Sequence, residues 1–332
     1  MNRVLVTGGG GFIGLALVCE LRRRGLEVRV LGRHRYPAAE AVGATCLQGD
    51  IRDLETVTRA VTGCDTVFHV AAKAGIWGPF QEYYSVNVLG TLNVLAACRK
   101  KGVQSLVYTS TPSVVFDGNS LEGVDESVPY AGKPLCHYAT TKILAEQQVL
   151  QANGDWLRTA AIRPHLVWGP GDTNLIPRLM ARGRQGNLRI IGDGSNLVDI
   201  AYIDNVVHAH LLAAENLATT ATAAGHPFFI GQQEPVQLWS WINELFIRMG
   251  MPEVTARLSL GKAKAIGWVL EKVFATLQLE QEPRMTRFLA EQLSLSHWFS
   301  KNNAEILLGY TEQVTTRQGG DCMLRWLREK RM

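Results

Sequence analysis

The chain has no two cysteines at a Cys-x-x-Cys spacing: its six stand at 19, 46, 64, 98, 136 and 322, mostly beside apolar residues. That scatter argues against a zinc ribbon or a redox pair, so no metal is expected and the thiols read as buried and reduced. No run reaches the roughly 20 apolar residues needed to cross a bilayer. No basic and apolar leader precedes the first strand, and a cytoplasmic protein is expected. A basic stripe with interleaved aromatics is missing too. The net charge of +4 comes from scattered clusters at 22–24, 99–101 and 325–331, so no nucleic-acid partner is expected. There is no internal repeat. What is present, 332 residues of which 46% are hydrophobic, has room for one large α/β domain carrying a smaller lobe.

The first half alternates short β-branched runs with segments whose apolar residues recur every three or four positions. Strands are expected over 3–7, 27–31, 45–48, 66–70, 105–109 and 159–163, and crossover helices over 12–24, 53–61, 84–100 and 138–153. The alternation predicts an α/β fold of the Rossmann type, a doubly wound parallel sheet. After Pro164 the pattern becomes irregular, with a Gly-Pro-Gly turn at 169–171, a helix near 175–185 and a short strand over 188–191. A helix over 204–216 and a strand over 227–230 then return to the sheet, and a helix over 238–249 leaves it. The expected organisation is a dinucleotide-binding domain over 1–168, rejoined by 201–231, and a mostly helical substrate lobe from 169–200 and 232–332. Segment 258–277 is apolar at helical spacing, interrupted by Lys262, Lys264, Glu271 and Lys272. It reads as helix packed on the core or on a dimer partner, with contact to a membrane surface or a pathway enzyme as the alternative.

The first strand runs into Thr7-Gly8-Gly9-Gly10-Gly11-Phe12-Ile13-Gly14. Between a Val-Leu-Val strand and an apolar helix, such a turn can hold a dinucleotide diphosphate on a helix N-terminus. Gly8 permits the tight turn, Gly11 lets the backbone approach the diphosphate, and Gly14 lets helix and strand pack closely, with Phe12 and Ile13 in the same turn. About 20 positions on, an acidic residue would bond the ribose hydroxyls of NAD. That place holds Gly32, followed by Arg33, His34 and Arg35, and the guanidinium groups of Arg33 and Arg35 suit a 2′-phosphate, so NADPH is the expected cofactor. Asp50 and Ile51 offer a carboxylate and an apolar wall to the adenine. Ala71 and Ala72 let the chain run beside ribose and diphosphate, and Pro164 after the sixth strand joins the cofactor set. Asn87 reads as a structural hydrogen bonder.

Tyr138 and Lys142 stand four apart at the start of a helix, so their side chains project from one face. A hydride delivered to a ketone leaves a developing alkoxide, which needs a proton donor and hydrogen bonds already in place. Tyr138 can give the proton. Bringing a phenol from a pKa near 10 to about 7 takes roughly 4 kcal/mol of phenolate stabilisation, a task that Lys142 would share with the positive nicotinamide of the oxidised cofactor. Among the hydroxyls that end the fifth strand, Thr111 is the first choice to polarise the carbonyl and Ser110 the second.

These motifs, together with Ile162-Arg-Pro-His-Leu-Val-Trp-Gly-Pro170, resemble the extended short-chain dehydrogenase/reductases in the branch of the 3β-hydroxysteroid dehydrogenases. The resemblance covers nearly the whole chain. It implies Tyr138 as acid/base, Lys142 on the nicotinamide ribose, Thr111 on the substrate oxygen, and a homodimer formed through two sheet-domain helices. Residues 188–199 and 204–210 are similar to the sterol-4α-carboxylate 3-dehydrogenases. Residues 71–78, 109–114 and 286–293, with His297 and Trp298, look like the bacterial 2-alkyl-3-oxoalkanoate reductases of long-chain olefin biosynthesis. Both likenesses imply a carboxylate beta to the reacting carbon. Sugar-nucleotide epimerases carry an arginine where Val198 stands, which argues against a nucleotide-sugar substrate.

Ile76, Trp77, Phe80 and Trp168 are candidates to line a cleft for acyl chains. Arg163, Arg178, Arg184 and Arg189 are candidates for a substrate carboxylate, none of them assigned, and His69, His208 and His210 read as structural. The expected function is NADPH-dependent reduction of a long-chain 2-alkyl-3-oxoalkanoate, a lipid-like 3-oxo acid. The alternatives are an NAD(P)-dependent 3β-hydroxysteroid or sterol-4α-carboxylate 3-dehydrogenase and, from another class, a non-catalytic NADPH sensor.

Overall fold

Short runs of four to seven residues, largely apolar and buried on both faces in the middle strands, form the centre of the molecule. In the computed structural model, which describes residues 1–330, they are β1 (Arg3–Thr7), β2 (Glu27–Gly32), β3 (Thr45–Gln48), β4 (Thr66–His69), β5 (Ser105–Thr109), β6 (Arg158–Pro164) and β7 (His226–Ile230). They pair in parallel in the order β7-β6-β5-β4-β1-β2-β3. The direction of winding reverses between β1 and β4. Their C-terminal ends therefore open a crevice, which is where ligands of such sheets bind.

The longer helices are α1 (Phe12–Arg23), α2 (Leu54–Val61), α3 (Gly90–Lys101), α4 (His137–Gln151), α5 (Leu175–Arg184), α6 (Ile203–Ala218), α7 (Leu238–Arg248), α8 (Leu260–Thr276) and α9 (Thr316–Glu329). α1 and α6 cover one face of the sheet, and α2, α3 and α4 cover the other. Leu17, Val18 and Leu21 of α1 are fully buried, each contributing about 1.5–3 kcal/mol. Local signals set the helix ends. Asp53 accepts the Glu55 amide at the start of α2, Gly102 takes the left-handed conformation after α3, and Thr315 with Gln318 forms a capping box on α9.

The structure holds features that the sequence pattern did not show. The segment expected as helix from 84 opens as a π-helical turn, Tyr84–Leu89, before α3. The second lobe also holds a four-stranded sheet, ordered Val236–Gln237, Leu197–Val198, His297–Phe299, Leu121–Val124. Its last strand comes from within the range expected for the first domain, because His297–Phe299 supplies its backbone partners. Within the chain α8 packs through a narrow strip: Ala263 and Gly267 are buried, and Ile266, Trp268, Val269 and Val273 are exposed. Among the described residues, no helix is long and apolar enough to cross a membrane.

Candidate active site

The turn from β1 to α1 is shaped by two glycines. Gly8 has φ +72°, and a Cβ there would stand 2.8 Å from the Ala71 backbone; a Cβ on Gly14 would overlap the Gly8 carbonyl oxygen. Beside this turn lies a groove of about 730 Å³. Gly8, Gly11, Phe12, Ile13 and Gly14 form its floor, Arg33, Asp50 and Ile51 its end at β2 and β3, and Ala71 and Ala72 its side at β4. Arg35 lies outside it. The exposed Arg35 guanidinium is 3.1 Å from Glu40, held by the short helix Pro37–Ala41. Pro164, Tyr138 and Lys142 are also not among the residues of its wall.

Sequence reasoning missed several wall residues. Tyr36 lays its ring across Gly10 and Gly32, leaving no room for a Cβ at either. Arg52 donates to both oxygens of Asp50, at 3.0 and 2.7 Å, and this guanidinium, against the opposing effect of burial, holds the Asp50 carboxyl below the usual carboxylate range. The far wall includes Val167, Asp172 and Asn174. Buried Asp172 accepts the amides of Asn174, Leu175 and Ile176 at 2.7, 3.1 and 2.8 Å. An aspartate shortly before an apolar helical run was the available signal.

Behind the groove, hydrogen bonds tie β1 to the β4 loop. The Ala71 amide donates to Thr7 Oγ1 (3.2 Å), which stands 2.7 Å from His69 Nδ1, while His69 Nε2 stands 2.9 Å from Thr91 Oγ1. Thr91 in turn donates to the Asn87 carbonyl at 2.6 Å. One neutral tautomer, protonated at Nε2, satisfies every member. Burial pushes His69 down to about 3, so it stays neutral. His210 is also buried: it takes the Thr109 hydroxyl on Nε2 at 2.8 Å and gives Nδ1–H to the Val206 carbonyl at 2.7 Å.

Tyr138 and Lys142 lie in the first two turns of α4. Lys142 Nζ is buried, donates to the Thr109 carbonyl at 2.6 Å and sits 4.0 Å from the centre of the Tyr108 ring. Burial pushes the ammonium down to about 7, with the Glu146 carboxylate opposing. Burial likewise raises the Tyr138 phenol, and the facing Thr111 hydroxyl pulls the other way. Thr111 Oγ1 accepts the Ser113 amide and donates to the Ser113 hydroxyl, both at 3.2 Å. The Ser110 hydroxyl is buried without a protein partner.

Arg163, an arginine considered for a substrate carboxylate, is already neutralised. It is buried with Glu146 at 2.5 Å, and Tyr130 also donates to that carboxylate, at 2.8 Å. Arg178 pairs with Glu282 at 2.6 Å, and Arg189 donates to the carbonyls of Gly186 and Leu188. None of the four candidate arginines lines the groove or the apolar cavity beside it.

That second cavity, about 600 Å³, has a mixed wall: Ile76, Trp77, Leu135, Phe274, Leu279 and Phe288 stand beside Glu271, Gln278, Glu280, Thr286 and Arg287. It reaches Cys136 and His137, directly before Tyr138. Trp77 donates Nε1–H to the Leu279 carbonyl at 2.9 Å and meets the Phe274 ring edge-on. Phe80 and Trp168, expected beside Trp77, do not line it. Phe80 packs on Tyr84 and His137, while Trp168 is buried against Tyr202 and Trp241. An aromatic residue in a sequence does not reveal whether it faces a cleft or a core.

A glycine turn, a parallel sheet wound in this order, and a tyrosine and lysine one turn apart define an oxidoreductase of the short-chain dehydrogenase/reductase class. Residues 5–260 match the model of the 3-beta hydroxysteroid dehydrogenase/isomerase family, and the chain belongs to that family. It is 47% identical over 319 residues to a protein of Stenotrophomonas maltophilia named 2-alkyl-3-oxoalkanoate reductase, covering 96% of this chain and 97% of the relative. A mouse protein named sterol-4-alpha-carboxylate 3-dehydrogenase, decarboxylating, is 34% identical, covering 95% of this chain and 88% of that one. Among solved structures, MoeE5 in complex with UDP-glucose and NAD is 28% identical and superposes with a TM-score of 0.77, covering 100% of both chains. The family resemblance read from the motifs is thereby borne out, and relatives named reductases and dehydrogenases support carbonyl and alcohol redox chemistry.

Proposed function

We propose that the chain is an NADPH-dependent reductase that converts a long-chain 2-alkyl-3-oxoalkanoate to the 2-alkyl-3-hydroxyalkanoate, a step of olefin biosynthesis. The observation that carries this is a cavity with an aromatic side, Trp77, Phe274 and Phe288, beside the charged Glu271, Glu280 and Arg287, that ends at the residues before Tyr138. The relative from Stenotrophomonas, similar over nearly its full length, supports the substrate class. Val198, fully buried in the small sheet, leaves no arginine for a nucleotide sugar such as the one MoeE5 holds.

The groove fits a dinucleotide: Gly8, Gly11 and Gly14 line it, and a Cβ on Gly8 or Gly14 would collide with the backbone that shapes the turn. When bound there, the nicotinamide cofactor supplies the hydride. The amides of the glycine turn would hold its diphosphate at the N-terminus of α1. Arg33 would receive a 2′-phosphate, with Arg52 beside it held by Asp50, and Gly32 presents no carboxylate against it. Tyr138, kept protonated at neutral pH by burial, donates its phenolic proton to the substrate oxygen as negative charge develops there. The Thr111 hydroxyl bonds the same oxygen, and Lys142 as ammonium stabilises the phenolate left on Tyr138.

The mouse relative favours a second reading, oxidation of a sterol carboxylate. Assays of 3-hydroxy acids with NADP⁺ against steroid alcohols with NAD⁺ separate the two. Higher turnover of the acids supports the reductase, and preference for the steroids overturns it. If Tyr138→Phe left cellular function intact while Gly11→Asp abolished it, a sensor would replace both.

A further inference from the structure

We propose that Lys73 receives the substrate carboxylate and so selects 3-oxo acids over simple ketones and steroid alcohols, a role that rests on the 3-oxo-acid reading. Segment 70–79 runs from one cavity to the other. Val70, Ala71, Ala72 and Lys73 line the groove, and Ile76, Trp77, Gly78 and Pro79 line the apolar cavity. A 3-oxo acid has to bridge these spaces. Its alkyl chains need the apolar cavity, its carbonyl needs Tyr138, and its carboxylate stands only two bonds from the reacting carbon.

Lys73 is the cation that fits this position. Of the basic side chains on the groove, Arg33 and Arg52 follow β2 and β3 at the adenosine end, whereas Lys73 follows β4, beside the strand that leads to Thr111. In the apolar cavity Arg287 is held by Glu271 at 2.8 Å. The Lys73 backbone is registered to the catalytic helix. Its amide donates to Asn87 Oδ1 at 2.7 Å, and Asn87 Nδ2 donates both to the Lys73 carbonyl at 3.1 Å and to Thr141 Oγ1 at 3.0 Å. Thr141 lies between Tyr138 and Lys142 on α4.

The side chain itself remains adaptable. Its ammonium is 2.5 Å from Glu82, and the two side chains are 33% and 55% exposed. Such a solvent-facing pair is weakly held, and Glu82 also lines the groove, so it acts as a stand-in that a substrate carboxylate displaces. A compact ammonium on a flexible stem suits an anion whose position shifts with alkyl length.

The test is oxidation by NADP⁺ of a 2-alkyl-3-hydroxy acid and of its methyl ester, with NADPH affinity followed by fluorescence titration. In Lys73→Met the KM for the acid should rise roughly 10- to 100-fold, with ester turnover and NADPH affinity unchanged. Lys73→Arg should recover part of the loss, and Glu82→Gln should lower the KM for the acid. Equal losses on acid and ester, or weaker NADPH binding, would assign Lys73 to the cofactor and overturn the proposal. A Lys73→Met enzyme that still prefers acid over ester overturns it while leaving the 3-oxo-acid reading intact. Wild-type protein inactive on the acid removes both.

Discussion

Lys142 carries a charge that the fold makes costly. In the unfolded chain its ammonium keeps its proton to about pH 10.5, whereas burial lets the folded protein lose it near pH 7. Below pH 7 both states are charged and the burial penalty is complete. Between those values folding releases a proton, so stability rises with pH until the penalty disappears above 10.5. Lys142→Met removes the charge at every pH. Its Tm relative to wild type should therefore be most favourable below pH 7 and should fall back by roughly 3 °C or more toward pH 10.5, as read by thermal melts of cofactor-free protein. A pH-independent difference would mean that the site hydrates the ammonium. Tyr138→Phe removes one hydroxyl and leaves the groove intact. It should lower kcat by about 10²–10⁴-fold with NADPH affinity unchanged, as measured by steady-state kinetics and fluorescence titration. Tyr138 and Lys142 were legible because a spacing of four on a helix is a local property. Lys73, Tyr36 and Arg52 were not, since each reaches the groove through a loop whose path only the folded sheet determines.

Elements place these residues, and the turn from β1 to α1 has the least freedom. A side chain on Gly14 meets the Gly8 carbonyl oxygen, which is backbone and has no rotamer to change. Gly14→Val should move α1 off β1, lower stability by about 1–3 kcal/mol and weaken NADPH binding at least tenfold, as followed by denaturant unfolding and titration. Unchanged affinity would place the diphosphate elsewhere. The parallel strands and their crossover helices were readable from β-branched runs and three-four spacing. The π turn at Tyr84–Leu89 was not, because its widened hydrogen bonding leaves composition and spacing unchanged. Strands such as Leu197–Val198 and Val236–Gln237 are two residues long, too short for any period, so the small sheet was missed.

At the scale of the whole molecule, segment 70–79 links two cavities, and the second of them reaches the start of α4. The groove carries Arg33 and Arg52 at its adenosine end and Lys73 after β4, and the second cavity sets Trp77, Phe274 and Phe288 beside Glu271, Glu280 and Arg287. Under the proposed function the groove takes the cofactor and the second cavity the alkyl chains, and the first is far more legible in the sequence than the second. Glycines in a turn specify their task by spacing. The aromatic wall is assembled from Trp77, Phe274 and Phe288, far apart in the chain, and Trp168 of the same residue type belongs to the core. The most direct measurement is kcat/KM for NADP⁺-linked oxidation of a long-chain 2-alkyl-3-hydroxy acid, set beside NAD⁺-linked oxidation of a 3β-hydroxysteroid. The two-cavity arrangement predicts that the acid with NADP⁺ is favoured by at least about tenfold, a difference of roughly 1.4 kcal/mol in transition-state binding. Preference for the steroid with NAD⁺ would contradict it.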